Sequence, residues 1–233
     1  MEPFAMLDEQ ALSSVALKTD PYEHVIIPNA IKPEFKEKIL ADAPKITEAG
    51  SFLLDTLRFG PSFKALADDL LSERFRWHVE QKFKLPLGHL PAVLTVRGYT
   101  SGMRDGYVHT DTKHKVITVL LYLNPEWPYP GGRLRVLRSN NIDDCAAEIA
   151  PLFGTMLIFR RSDHSWHGHL PHEGPRLSLQ LNWADSASWV RRENWRHRLS
   201  AAMKVSAPAL QRLSCWIAGA RRKLRGEQLE IRP

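Results

Sequence analysis

His109 and Asp111 stand two residues apart in GYVHTDTKH, residues 106–114, directly ahead of the apolar run KVITVLLYLN. In an extended chain, positions i and i+2 project to the same side. An imidazole and a carboxylate therefore point together here, with Thr110 facing away. A neutral imidazole nitrogen and a carboxylate oxygen are two ligands for a divalent metal. A second imidazole would complete the two-histidine, one-carboxylate facial set that leaves positions open on ferrous iron. A single H-x-D triplet is more commonly a loop histidine hydrogen-bonded to its neighbour, so the chemistry needs a third ligand from elsewhere.

The stretch FRRSDHSWHGHLPHEGPRLSLQLNW offers four histidines, His164, His167, His169 and His172, followed by Arg176 at the start of a strand-like run. His164 lies in a polar turn and His172 follows a proline. His167 and His169 lie within the run before Pro171 and would share a face if that run is extended.

These residues must be positioned by the elements around them. YEHVIIPN reads as a strand and IKPEFKEKILADAP as a helix with Pro33 near its start and Pro44 ending it. From Ser62 to Lys84 apolar residues recur at helical spacing, which predicts one long amphipathic helix with Phe63, Leu66, Leu70, Phe75 and Val79 as core. After Leu90 the pattern changes to short runs: AVLTVRGY, KVITVLLYLN, RLRVLR, TMLIFR and RLSLQLNW. Turn residues separate them, among them the aromatic, proline-rich NPEWPYPGG, which could wall a site. Many short strands with Gly/Pro punctuation predict a jelly roll. The expected class is mainly β with supporting helices.

Composition sets outer bounds. The 233 residues suit one main domain, and no apolar run approaches the length of a membrane span. The first residues, MEPFAMLDEQ, lack the basic and apolar regions of a secretory signal. Only Cys145 and Cys215 occur, so a disulfide scaffold and a cysteine zinc site are both disfavoured, and a cytoplasmic location is expected. The net charge of +6 is uneven: residues 190–233 hold nine Arg and two Lys against three Glu, a local +8 that leaves −2 for the rest. In that segment Trp195, Leu199, Ala202, Val205, Leu210, Leu213, Ile217, Ala220 and Leu224 recur at helical spacing among the arginines, with Pro208 starting a second helix. Such a basic amphipathic segment suits peripheral contact with an anionic membrane or an acidic partner, or else packs on the domain itself. Aromatic interleaving is too sparse for a nucleic-acid surface.

Taken in order, HTD, YLN-x-x-W, GG before a short strand, P-L-F-G-x-x-x-x-F, W-H-G-x-x-P and R-L-S resemble the Fe(II)/2-oxoglutarate-dependent dioxygenases, and within them the prolyl-hydroxylase branch. The likeness covers roughly residues 90–185. It implies a double-stranded β-helix, a cupin-like jelly roll, with C-terminal helices appended. Three parts are implied: 1–20 as an N-terminal tail, 21–189 as the dioxygenase domain (helical support 30–85, β-core 90–185), and 190–233 as the basic helical segment.

The resemblance also implies roles. His167, nine residues before Arg176, takes the place of the distal metal ligand beside His109 and Asp111, with His169 second. Arg176 matches the arginine that pairs with the far carboxylate of 2-oxoglutarate, and Tyr122 a tyrosine that hydrogen-bonds the same group. Tyr99 matches a pocket tyrosine, and Thr118 and Ser178 are expected as wall hydroxyls. Fe(II), 2-oxoglutarate and O2 are the implied cofactors, with ascorbate as a supporting reductant. The implied reaction is hydroxylation of an unactivated C–H bond with release of succinate and CO2. Its substrate would be a proline-like peptidyl residue or a small or lipid-linked molecule. Related halogenases replace the carboxylate with a small residue, whereas Asp111 is present. Position 182, where the nucleic-acid demethylase branch carries a second arginine, is Asn. The rival reading is a binding module of the same β-fold, catalytically inactive or holding another metal. Against it stands the completeness of the set His109, Asp111, His167 and Arg176.

Overall fold

The computed structural model describes residues 1–46, 48–99 and 106–199. Its organising strand is Arg176–Ala184, RLSLQLNWA, in which apolar and polar side chains alternate. Leu179, Leu181 and Trp183 point into one hydrophobic core, while Arg176, Ser178, Gln180 and Asn182 are buried on the opposite face. Alternation with a period of two assigns the two faces of a strand to two environments. Here neither environment is solvent.

In chain order the strands are β1 (His24–Ile27), β2 (Gly50–Leu53), β3 (Ala92–Tyr99), β4 (Lys115–Tyr122), β5 (Leu134–Leu137), β6 (Cys145–Ile149), β7 (Met156–Arg160), β8 (His167–Gly168) and β9 (Arg176–Ala184). They form a six-stranded sheet in the order β1-β7-β4-β9-β3-β2 and a three-stranded sheet in the order β6-β5-β8. Every pairing is antiparallel. The outer face of the large sheet carries Val96, Val119, Leu121, Ile158 and Leu181 into a core shared with the helices α2 (Lys36–Asp42), α3 (Pro61–Leu71) and α4 (Glu73–Phe83). Its inner face meets the small sheet through Leu120, Tyr122, Leu134, Val136, Leu157 and Phe159. This is the expected jelly roll with helical support, and β4 and β9, the strands nearest the predicted site, lie at its centre.

Three expectations are corrected. The single helix expected over Ser62–Lys84 is two, α3 and α4, broken at Ser72. Ser72 is extended (ψ 154°) and its Oγ accepts from the Phe75 amide, capping α4. A serine hydroxyl competes well for the orphan amides of a first helical turn, and the apolar spacing continues across the break without recording it. The predicted core residues Phe63, Leu66, Leu70, Phe75 and Val79 are all buried. Strands β2, β6 and β8 were not anticipated. They are short, and their pairing partners rather than their own patterns define them.

The third correction concerns residues 1–20, which are no loose tail. Phe4, Leu7 and Leu12 are buried in the helix-side core, and residues Glu9–Ser14 form helix α1. Asp69 of α3 holds the segment: its carboxylate accepts from the amides of Ala5, Met6 and Leu7 at 3.0, 2.6 and 2.9 Å. At the other end, residues 187–199 form helix α5. Trp189 and Val190 pack with Leu53, Val93 and Ala184 against the sheet edge, so the expected division at 190 cuts through a packed helix. Trp195 and Leu199 of the anticipated apolar stripe are exposed, and the remainder of that stripe, from Ala202 on, lies outside the described residues. No helix among the described residues is long and apolar enough to cross a membrane.

Hydrogen bonds to a charged acceptor contribute about 1.5–3 kcal/mol, and Asp69→Ala would leave three amides without theirs. We expect Asp69→Ala to lower unfolding free energy by about 3 kcal/mol and to expose residues 1–8 to protease before the rest of the chain. Denaturant melts and limited proteolysis check this, and wild-type stability with a protected N-terminus would contradict the pinning role.

Candidate metal centre

His109 and His167 face each other across a closed two-residue bridge. His109 N–H donates to His167 O at 3.0 Å and His167 N–H to His109 O at 3.0 Å. The bridge brings the two imidazoles to 4.4 Å between ring centroids. Asp111 follows at i+2, and one ligand atom from each of His109, Asp111 and His167 lies within 4.8 Å of the others. This is the one such group of metal-ligating side chains among the described residues. His109 is exposed and the other two are buried, so the group opens to solvent on one side only.

The second contacts of these side chains determine their chemical state. His109 Nδ1 lies 2.7 Å from Tyr107 O, and His167 Nδ1 lies 2.9 Å from Ser165 O. A carbonyl can only accept, so each Nδ1 carries a proton and each Nε2 is the ring nitrogen left to face a ligand. Burial holds His167 down to about 4; the Asp111 charge opposes that shift and the His109 ring adds to it. The ring is therefore neutral near pH 7. Burial alone would raise the carboxyl of Asp111. Lys115, His167 and the Thr118 hydrogen bond outweigh it and keep Asp111 well below the usual carboxylate range. Lys115 Nζ donates to Asp111 Oδ1 at 2.6 Å, and Thr118 Oγ1 donates to Oδ2 at 2.6 Å. Two imidazoles turned Nε2-outward and one held carboxylate fit a divalent cation.

Local sequence explains the close approach. Gly168 follows His167 where residues 106–108 cross: a Cβ there would stand 2.9 Å from Gly106 O and 3.0 Å from Val108 Cα. Only glycine lets the two ligand-bearing segments pair this tightly. Arg161 Nε donates to Asp111 O, tying the H-x-D loop to the end of β7. Tyr22 O–H donates to Trp166 O, next to His167, and its ring meets Phe159 edge-on. Burial, with the Asp111 charge adding, pushes the Tyr22 hydroxyl well above its ordinary value.

The other predicted site residues fall as follows. Arg176 is buried; its Nη2 donates to Tyr122 O–H at 3.1 Å, and the guanidinium carbon stands 4.9 Å from the tyrosine ring centre. Tyr122 is fully buried, and burial raises its hydroxyl against the opposing charges of Arg176 and Arg97. Ser178 is buried on the same face, level with Tyr122 and Arg97 in the sheet register. Thr118, expected as a wall hydroxyl, instead donates to Asp111, because its place opposite Asn182 lies beside the carboxylate. Tyr99 ends β3 opposite Arg176 in register, and its side chain lies outside the described residues. His169 is buried but is not in the metal group; it lies on the Arg176 side, with burial first and the Arg176 charge second holding it down to about 4. His164 is exposed, and the His172 ring meets Trp127 at a tilt and His169 edge-on. The NPEWPYPGG loop packs on Pro171 and His172, where Cβ atoms at Gly131 and Gly132 would collide with them. Lys115, Arg161 and Tyr22 were missed in the sequence. Lys115, four residues after Asp111, is the one with a readable signal.

Residues 94–184 match the family model of the 2OG-Fe(II) oxygenase superfamily. Comparison with curated proteins gives no match. Among solved structures the chain is similar to a prolyl hydroxylase from Trichoplax adhaerens in complex with a hypoxia inducible factor oxygen degradation domain peptide fragment. The TM-score is 0.50 at 18% identity, over 70% of this chain and 83% of that one. It is equally similar to the viral collagen prolyl hydroxylase of Paramecium Bursaria Chlorella virus-1 in its 2OG complex, with TM-score 0.50 and 18% identity over 70% of this chain and 96% of that one. At this identity the likeness is one of fold.

His167 and His169 titrate at about 4 in the folded chain, against about 6.5 when unfolded. Between those values the unfolded chain binds more protons, so stability rises with pH across this window. The metal-free protein should hold its full stability above pH ~6.5 and lose it as pH falls toward ~4, each ring accounting for on the order of 1–3 kcal/mol. Chelator-treated protein melted from pH 7.5 to 4 checks this. A profile flat through the window would mean the two rings are not buried neutral.

Proposed function

We propose that this chain, whose residues 94–184 match the 2OG-Fe(II) oxygenase superfamily model, hydroxylates an unactivated C–H bond with His109, Asp111 and His167 as its iron ligands. The observation that carries the reading is the convergence of those three side chains beside a buried Arg176–Tyr122 pair on one inner face. Fe(II), 2-oxoglutarate and O2, bound together, supply oxidative decarboxylation to succinate and CO2 coupled to hydroxylation.

The protein's own part is binding and orientation. His109 and His167 turn Nε2 toward the metal position because backbone carbonyls hold their Nδ1 protons. Lys115 and Thr118 keep Asp111 ionised and fix its rotamer. Arg176 and Tyr122 take the far carboxylate of 2-oxoglutarate: a planar guanidinium grips a carboxylate bidentately, and the tyrosine hydroxyl adds a third donor. Thr118 and Tyr122 are four residues apart on β4, so a 2-oxoglutarate held by Arg176 and Tyr122 would reach from there toward the metal group. The inner-face residues Leu120, Leu157 and Phe159 keep this space dry, which strengthens each polar contact in it. The substrate is a peptidyl residue, as for the two prolyl hydroxylases that share the fold, or a small molecule.

Under argon with ferrous iron, adding 2-oxoglutarate should produce a weak visible charge-transfer band, and succinate should form when air is admitted. His109→Ala, Asp111→Ala and His167→Ala should each remove the band and the turnover. Iron affinity that survives His167→Ala but is lost in His169→Ala would transfer the distal role to His169. Arg176→Ala should keep iron binding and raise the 2-oxoglutarate requirement at least a hundredfold, since losing the charged partner of a buried carboxylate costs about 3–5 kcal/mol. An unchanged requirement would remove Arg176 from the site.

A further inference from the structure

Helix α5 has two faces of opposite kind. Trp189 and Val190 are buried against Leu53, Val93 and Ala184, and Glu193, Asn194 and His197 are half-buried on the same side. Glu193, Arg196 and His197 also roof a polar cavity of about 180 Å³ above Thr95, Arg97, Gln180 and Asn182. The outward side carries Arg191, Arg192, Trp195 and Leu199, all exposed. Residues three and four apart are neighbours on a helix surface. Arg191 and Arg192 therefore flank Trp195 one turn before it, and Leu199 follows one turn after. Trp195 is 65% exposed and Leu199 43%, so the two form one bare apolar strip bordered by arginines.

We propose that this outward face docks the protein on an anionic lipid surface, with Trp195 and Leu199 entering the headgroup region and Arg191 and Arg192 lying against lipid phosphates. The charge of the strip is free for that use. Arg196 pairs with Glu193 and Arg198 with Asp55, whereas Arg191 and Arg192 make no ion pair or hydrogen bond among the described residues. Residues 200–233, which follow the helix, hold seven Arg or Lys against two Glu, so charge of the same sign continues along the sequence. A helix with a basic face and a tryptophan–leucine strip suits the membrane interface, where the indole sits at headgroup level. Arginine stems can lie along the apolar strip while their guanidinium groups reach phosphate oxygens.

Shape favours lipid over a folded partner. A stable protein interface buries about 800 Å² on each side, more than two apolar side chains on one convex helix offer. A lipid surface needs no matching contour, and basic residues near it add their attractions one by one. The helix is also firmly joined to the H-x-D loop. The Trp189 ring lies 5.8 Å from that of His114, His114 Nδ1 donates to Asp185 Oδ1 at 2.8 Å, and the Asp185 amide donates to His114 O at 2.9 Å. Docking through α5 thus holds the metal group at a fixed place relative to the lipid. The inference does not depend on the chemistry proposed at that group.

Co-sedimentation of the full-length protein tests this, with vesicles of phosphatidylcholine alone and of phosphatidylcholine mixed with phosphatidylglycerol. At low ionic strength the protein should bind the anionic vesicles at least tenfold more tightly than the neutral ones. Added salt should weaken that binding, because exposed charges are screened. Tryptophan emission should shift to the blue on binding, and Trp195→Phe should reduce the shift. The double variant Arg191→Gln, Arg192→Gln and the single variant Trp195→Glu should each weaken anionic-vesicle binding at least tenfold. All three side chains face outward, so both variants should melt with the unmodified protein. The proposal is overturned if the protein does not bind anionic vesicles, if it binds neutral ones equally, or if either variant binds like the unmodified protein. Soluble polyglutamate bound as tightly as the anionic vesicles also overturns it, in favour of an acidic protein partner.

Discussion

The structure depends on burying a polar row. Strand β9 is covered on both faces, and a strand so placed is ordinarily apolar throughout. Here Arg176, Ser178, Gln180 and Asn182 occupy one of its faces inside the sandwich. Polar groups in such a place are costly unless partnered. The partners come from the neighbouring strands: Tyr122 for Arg176, Arg97 for Gln180, Thr118 for Asn182. Each partner is itself held by the sheet ladder, so the row is rigid before any ligand arrives. The apolar row Leu179, Leu181 and Trp183 on the other face locks the register, because a slip of one residue would exchange the two rows.

The metal group is attached to that row through the Thr118–Asp111 hydrogen bond, and is otherwise built from the H-x-D loop and the two-residue strand β8. Loops alone would give poor precision. The bridge between His109 and His167 supplies what regular structure would, two reciprocal backbone hydrogen bonds between the segments that carry the imidazoles. Val136 of β5 pairs with His167 and extends the bridge into the small sheet. Thus one ligand is tied to each sheet, Asp111 to the large and His167 to the small, with His109 joined to His167 at the exposed edge. The space between the sheets is the space between the ligands.

What the sequence disclosed follows from how local each signal is. The H-x-D pair, the alternation of RLSLQLNW and the helical spacing of residues 62–84 are patterns within a few turns or strand residues, and they were readable. The spacing His167 to Arg176 was readable only through a resemblance, since nothing local separates His167 from His169. In space the two diverge because His167 pairs with both His109 and Val136, whereas His169 turns toward Arg176. Tyr22 and Arg161 act on the site from outside the motif, Tyr22 from 144 residues away. Neither distance nor direction of such contacts is written in the residue types. The break at Ser72 was local but hidden, because apolar periodicity persists across it while one hydroxyl decides it.

Charge and packing divide the C-terminal region differently. By charge the chain changes character at 190, and that line suggested a separate basic segment. By packing it does not: Trp189 and Val190 close the sheet edge on one side of that line, and Arg196, His197 and Arg198 continue the same helix over the polar face of β3 and β9 on the other. Net charge reports what faces water, and a helix that roofs a polar cavity faces both water and the cavity. The arginines of residues 191–198 thus have two environments. Arg198 faces Asp55 as a latch, and Arg196 faces the cavity rim. A positive stretch beside an otherwise acidic domain is commonly read as a surface for some other molecule. In this helix Arg196 stands largely exposed at the rim of a cavity that Lys115, the partner of Asp111, also lines.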